Sequence, residues 1–222
     1  KRVAYVDIDA HHGDGVQHAF YDTDRVLTIS LHESGQWLFP GTGFVTDTGV
    51  GEGTGFAVNL PLPPSTSDEQ YLRAFGAVVD PFIEAFAPDI LVTQLGVDSF
   101  ETDPLTHLGL TTNGFEGLVK RFRSFGLPWV ALGGGGYDLS NVARAWTLAW
   151  AIMNGKDAPG IIPAKFMENN RDIFRSEALR DPPLPLFKPG EKQMEELDRD
   201  IEFLKDNVLP VVERRCRPFR KG

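Results

Sequence analysis

Asp9 and His11 stand two residues apart, directly after the apolar run Val3-Ala4-Tyr5-Val6-Asp7-Ile8. If that run is a strand, the turn that follows it can aim both side chains into one crevice. Asp98 follows a second apolar run and could complete a set of two carboxylates and one imidazole. Three protein ligands with an open fourth position form a catalytic zinc site, where the metal activates water and polarises a carbonyl. On spacing alone the same residues could instead cap the following helix or form a salt link. The glycine run Gly133 to Gly136 before Tyr137 has two possible uses, a phosphate cradle or a turn that presents the phenol. A phosphate loop would want a lysine at a fixed offset, and Gly-Tyr-Asp-Leu-Ser supplies none, so presentation of Tyr137 is favoured. A tyrosine hydroxyl near a metal can donate to the oxyanion formed when water adds to a carbonyl; losing such a donor costs on the order of a few kcal/mol.

Positioning these residues requires strands that end together. Runs rich in Val, Ile and Leu predict strands at Val3 to Asp9, Val26 to His32, Gly55 to Leu60, Ile90 to Gly96 and Trp129 to Gly133. Amphipathic stretches between them predict helices at Gly15 to Tyr21, Ser67 to Ala87, Thr112 to Phe125 and Leu139 to Asn154. The second helix opens Ser67-Asp68-Glu69-Gln70, a capping box, and turns Leu72, Phe75, Val79, Phe82, Ile83 and Phe86 to the core. On the last helix, Trp146 and Trp150 with Val142 and Met153 read as a core face. Continuously apolar strands alternating with helices imply an α/β fold, a parallel sheet with helices on both faces, whose chemistry gathers at the carboxyl ends of the strands. Residues 1–157 carry this pattern. Residues 158–222 are interrupted by Pro159, Pro163, Pro182, Pro183, Pro185 and Pro189 and hold a charged helix at Glu191 to Asp206, an extension expected to pack on the first part.

With 41% hydrophobic and 24% charged residues over 222 positions, the chain has the composition of a folded globular protein. No apolar run reaches the roughly 18 residues a membrane span requires, and a cytoplasmic protein is expected. The single cysteine, Cys216, excludes an intrachain disulfide and cysteine-based zinc modules. The net charge is −9, and residues 1–157 account for −10 against +1 for the remainder. Such an acidic body argues against a nucleic-acid partner and suits a metal or a cationic substrate.

Four ordered motifs carry a resemblance: Asp7-Ile8-Asp9-Ala10-His11-His12-Gly13-Asp14-Gly15, Phe39-Pro40-Gly41-Thr42-Gly43, Gln94-Leu95-Gly96-Val97-Asp98 and Leu132-Gly133-Gly134-Gly135-Gly136-Tyr137. In that order and spacing they resemble the second half of the histone deacetylase superfamily, with its arginase/deacetylase-like fold. Through His32-Glu33-Ser34-Gly35 and Leu38-Phe39-Pro40 the chain most resembles the bacterial acetoin utilization proteins. The resemblance implies that Asp9, His11 and Asp98 bind zinc and that Tyr137 polarises an acetyl carbonyl. It implies that Phe39, Leu105 and Gly135 line a tunnel for an acyl-lysine, and that Asp7 and Asp14 orient two catalytic histidines. It further implies structural monovalent cations, possible potassium ions, at Asp7, Asp9, His11, Ser30 and Leu31 and at Phe20, Thr23, Val26 and Phe56.

In the superfamily those two histidines precede the Asp-x-Asp-x-His motif by some tens of residues, whereas only Lys1, Arg2 and the start of the first strand precede it here. His11 fills the ligand position, and His12 reads as a structural neighbour. The expectation is an incomplete piece of the domain whose N-terminal part is missing, with exposed apolar edges near Val3 to Asp9. The function expected is zinc-dependent hydrolysis of N-acetyl-lysine in proteins or of acetylated amines. Two alternatives stand beside it: an arginase-like ureohydrolase with two manganese ions, disfavoured because Gly13 occupies the place of a second carboxylate, and a binding module that holds acyl-lysine without turnover.

Overall fold

A computed structural model describes residues 1–174, 176–183 and 189–216; Pro185 lies outside them. Five parallel strands form its centre: β1 (Val3–Asp7), β2 (Val26–Glu33), β3 (Ala57–Leu62), β4 (Ile90–Gln94) and β5 (Trp129–Leu132), in the spatial order β3-β2-β1-β4-β5. The chain therefore starts in the middle, runs outward through β2 and β3, returns to the other side of β1, and runs outward again through β4 and β5. The order reverses between β1 and β4, and there the connections diverge to leave a crevice at the carboxyl ends of the strands.

Register assigns the two faces. Val6 lies beside Ile29 and Ile29 beside Val58, so Ala4, Val6, Leu27, Ile29, Leu31, Val58, Leu60 and Leu91 share one face. They join one buried cluster with Phe75, Val79, Phe82 and Phe86 of α2 (Asp68–Phe86) and with Leu118, Val119 and Phe122 of α3 (Thr112–Ser124). The same cluster takes in Leu197 and Ile201 of α5 (Glu191–Phe203), Leu204 and Val208 of a following π-helical turn, and Val212 of α6 (Leu209–Cys216). The charged C-terminal helix is thus an amphipathic cover with its apolar stripe on the sheet. The Ser67–Gln70 capping box starts α2, with Gln70 Oε1 accepting the Ser67 N–H at 3.1 Å.

The opposite face carries Tyr5, Asp7, Thr28, Ser30, His32 and Asn59, all buried although polar. The short α1 (Asp14–Ala19) lies over it, and Gln17 Oε1 accepts from Asn59 Nδ2 at 2.6 Å. Helix α4 (Leu139–Met153) follows β5 and packs beside α3.

Three expectations are corrected. The apolar run at Val3 is not an exposed edge: β1 is paired on both sides, and Ala4 to Asp7 are buried. The exposed apolar edge is β5, where Val130 and Leu132 are each 44% accessible. Position along the chain does not set position in the sheet, and a strand flanked by two crossovers ends up central. Trp150 is exposed, whereas Trp146 turns inward and its indole N–H donates to the Leu95 carbonyl at 2.8 Å. Leu72 lies at the margin of the buried stripe of α2, against Gly117 of α3.

Candidate metal centre

β1 ends at Asp7, so Asp9 and His11 belong to the turn that crosses the crevice. Asp98 comes from the loop after β4. One ligand atom from each of the three lies within 4.8 Å of the others, the closest approach being His11 Nδ1 to Asp98 Oδ2 at 2.8 Å. The surrounding backbone aims the carboxylates. Asp9 Oδ1 accepts the His11 N–H at 2.9 Å, and Asp9 Oδ2 accepts from Gln94 Nε2 at 2.7 Å and from the Gly135 N–H at 2.8 Å. Asp98 Oδ1 accepts the Ala10 N–H at 2.8 Å. A Cβ at Gly96 would strike the Asp9 carboxylate and one at Gly135 the Asp98 carboxylate, so glycine alone lets these loops close around the cluster.

Two buried carboxylates face one half-buried imidazole. Hydrogen bonds to Asp9 and Asp98 push the His11 imidazole up to about 10. Burial, helped by the charge of Asp9, pushes Asp98 up to about 6. Asp9 is held well below the usual carboxylate range, because the bonds from His11 and Gln94 outweigh its burial. Asp7 lies deeper still; burial lifts it to about 7, although Tyr5 donates its hydroxyl at 2.7 Å. Two carboxylates converging on one imidazole, each held by N–H donors on its far side, fit a cation that would replace the proton now on His11. Among the described residues this is the one grouping of three or more His, Cys, Asp or Glu with such spacing.

Tyr137 follows Gly136, whose φ of +151° and tight contacts with Val97 and Val142 exclude a side chain. The Tyr137 N–H donates to Asp103 Oδ2 at 2.8 Å, and the ring is 52% exposed. Burial, then the carboxylates of Asp98, Asp9 and Asp103, raise the phenol, which keeps it a proton donor at neutral pH. Phe39, before the cis-Pro40 bond, and Leu105 are also exposed, and Gly135 sits against the cluster itself. Asp14 is exposed at the start of α1 and accepts the Gly15 N–H at 2.7 Å.

The histidine pair next to the centre is already engaged. His12 Nε2–H donates to Gln17 Oε1 at 3.2 Å while the Thr42 hydroxyl donates to Nδ1 at 2.8 Å. His32, fully buried, donates from Nε2 to the Gly43 carbonyl at 3.0 Å and accepts the Ser30 hydroxyl at Nδ1 at 2.9 Å. The two rings lie 4.8 Å apart, and burial, with His12 beside it, drives His32 down to about 3. Of the residues expected at monovalent cations, Ser30 thus serves His32, and the Leu31 carbonyl accepts the Tyr71 hydroxyl at 3.1 Å. The Phe20 carbonyl accepts the Thr23 N–H at 3.4 Å, the Phe56 carbonyl accepts the Thr28 N–H at 2.9 Å, and Val26 opens β2.

Residues to which sequence reasoning gave no role do much of the positioning: Gln94, Asp103, and Glu33, whose fully buried carboxylate takes the His107 N–H and Nδ1, both at 2.8 Å. An acidic residue at the end of an apolar run, as in His32-Glu33, was the available signal.

The histone deacetylase domain matches residues 1–153. The acetoin utilization protein AcuC of Bacillus subtilis is 42% identical over 172 residues, 75% of this chain and 44% of that protein. Human histone deacetylase 1 is 46% identical over 73% of this chain and 34% of its own length, and zebrafish histone deacetylase 8 is 38% identical over 95% and 55%. A crystal structure of an HDAC homologue complexed with SAHA superposes with a TM-score of 0.80 at 34% identity, over 92% of this chain and 57% of that one. The chain spans about half the length of these relatives or less. The motifs at the strand ends, the parallel sheet that gathers them and these matches agree: the chain belongs to the histone deacetylase family.

Proposed function

We propose that the crevice is the metal-holding and oxyanion-stabilising part of a zinc-dependent deacetylase site of the acetoin utilization type, acting on N-acetyl-lysine in proteins or on acetylated amines. The convergence of Asp9, His11 and Asp98 within 4.8 Å carries this reading. Zinc held there would supply Lewis-acid chemistry toward an amide carbonyl and activate water. Asp9 and Asp98 fix the imidazole of His11 and are themselves fixed by Gln94, Gly135 and Ala10. Tyr137, kept protonated, donates its hydroxyl to the developing oxyanion. Phe39, Leu105 and Gly135 flank the acyl-lysine stem, and the acidic body attracts its cationic carrier. Monovalent cations, potassium among them, would bind through the two backbone sets around Ser30 and Phe56.

The arginase-like reading is disfavoured by more than residue type. A Cβ at Gly13 would come within 2.6 Å of Asp7 Oδ2, so a second carboxylate there would have to displace the Asp7 side chain that Tyr5 holds at 2.7 Å. Neither His12 nor His32 can act as the general base, since both nitrogens of each ring are bonded away from the centre. Resemblance assigns that role to a histidine pair upstream of Asp7, and Asp7 and Asp14 would orient it. This chain's own share is accordingly to hold the metal and the acyl group, which is also what the binding-module alternative asks of it. The zinc-loaded chain should bind an acetyl-lysine peptide and release no acetate by itself. Acetate release without added protein would contradict the assignment of the base, and no affinity for the peptide would overturn the reading.

A further inference from the structure

Asp103 lies in the β4–α3 connection and is only 6% exposed. A carboxylate this deep is costly unless its oxygens are engaged, and these are divided between two segments. Oδ1 accepts the Leu105 N–H at 2.9 Å inside its own turn, and Oδ2 accepts the Tyr137 N–H at 2.8 Å from the loop after β5. The local turn fixes the side chain, so the place of the second oxygen is set by the Asp103 loop and not by Tyr137. That loop is itself clamped. The Thr106 hydroxyl donates to the Asp98 carbonyl, Glu33 grips His107 with both oxygens, and the Thr102 hydroxyl donates to Asp138, the residue after Tyr137, at 2.8 Å. On the other side of Tyr137 stands Gly136, the residue type with the softest backbone.

We infer that Asp103 is a positioning residue for Tyr137: its carboxylate transfers the rigidity of the clamped β4–α3 loop to the backbone that projects the phenol. This rests on the role proposed for Tyr137. The charge of Asp103 adds to those of Asp98 and Asp9 in keeping the phenol protonated.

Asp103→Asn separates the two contacts, because the amide oxygen still serves Leu105 while the NH2 group faces the Tyr137 N–H, donor to donor. Asp103→Ser keeps the turn and loses the reach to Tyr137, and it carries the test if the asparagine variant folds poorly. In the metal-free chain, amide exchange at Tyr137 should quicken by about tenfold or more, with Leu105 changed less than about threefold. In the zinc-loaded chain, affinity for acetohydroxamate should fall about tenfold on Asp103→Asn but less than about twofold when Tyr137→Phe is already present, with zinc affinity unchanged. An equal loss in both backgrounds, or an unchanged Tyr137 exchange rate, would overturn the inference. If the unsubstituted chain binds no acetohydroxamate, the role of Tyr137 falls instead, and the exchange rates still decide whether Asp103 holds its backbone.

Discussion

Two polar clusters lie at the same end of the sheet and are both buried, yet they are built on opposite rules. Around His12 and His32 every ring nitrogen has one neutral partner: hydroxyls donate to one nitrogen, and carbonyl oxygens accept from the other. Around His11 two carboxylates crowd one imidazole, with Asp7 below. The first cluster is satisfied by the protein alone. The second gathers carboxylates whose charge burial makes costly, and a bound cation would relieve that cost. A polar network closed on itself stabilises a fold, whereas one left charged is a site.

The sharpest way to break this contrast is to exchange the consequences of mutation. Asp98→Asn should weaken zinc by about a hundredfold or more, read by competition with a chelator. His32→Ala should leave zinc affinity unchanged but cost about 3 kcal/mol of stability in urea unfolding, because it opens a void and orphans the Gly43 carbonyl. A large loss of zinc on His32→Ala would merge the two clusters into one.

The histidines also predict opposite responses to pH. His32 has a folded value near 3, against about 6.5 in an unfolded chain, so its share of stability is complete above 6.5 and is lost as pH falls below that. His11, raised to about 10, contributes stability that is complete below 6.5 and fades as pH rises toward 10. Asp98 and Asp7, raised to about 6 and about 7, oppose the His32 loss on the acid side and add to the loss on the alkaline side, so the metal-free chain should lose stability as pH rises from about 6 toward 10. Because zinc displaces one proton from His11, its affinity should rise about tenfold per pH unit between 7 and 9. A pH-independent zinc affinity would mean that the proton does not sit between Asp9 and Asp98.

The smallest effect sharpens the neutral side. Ser30→Ala removes one donor to His32 and should cost about 1 kcal/mol with zinc binding intact. A loss of zinc there would show that Ser30 supports the charged cluster through Asp7, its neighbour across β1 and β2.

Much of this was legible in the sequence because burial leaves a compositional trace. Strands that lie under helices read as runs rich in Val, Ile and Leu, and motifs at their ends, such as Asp9-Ala10-His11, stand out against that background. Strand order left no such trace, which is why Val3 to Asp9 looked like an edge although it is the centre of the sheet. Trp150 and Leu72 fit the helical period but not the burial, since period gives a direction around the helix and not what stands there. Asp103, Gln94 and Glu33 were given no role for a related reason: each acts on a residue far along the chain, Tyr137, Asp9 and His107 respectively, and only the closed fold brings these together.

The central claim is that Asp9, His11 and Asp98 form one metal site. Bound metal per chain, measured by plasma emission after loading with zinc and manganese together and gel filtration, tests it most directly. The account predicts one zinc per chain, and none in Asp98→Asn. Two metal ions per chain, or unchanged zinc in Asp98→Asn, would contradict it.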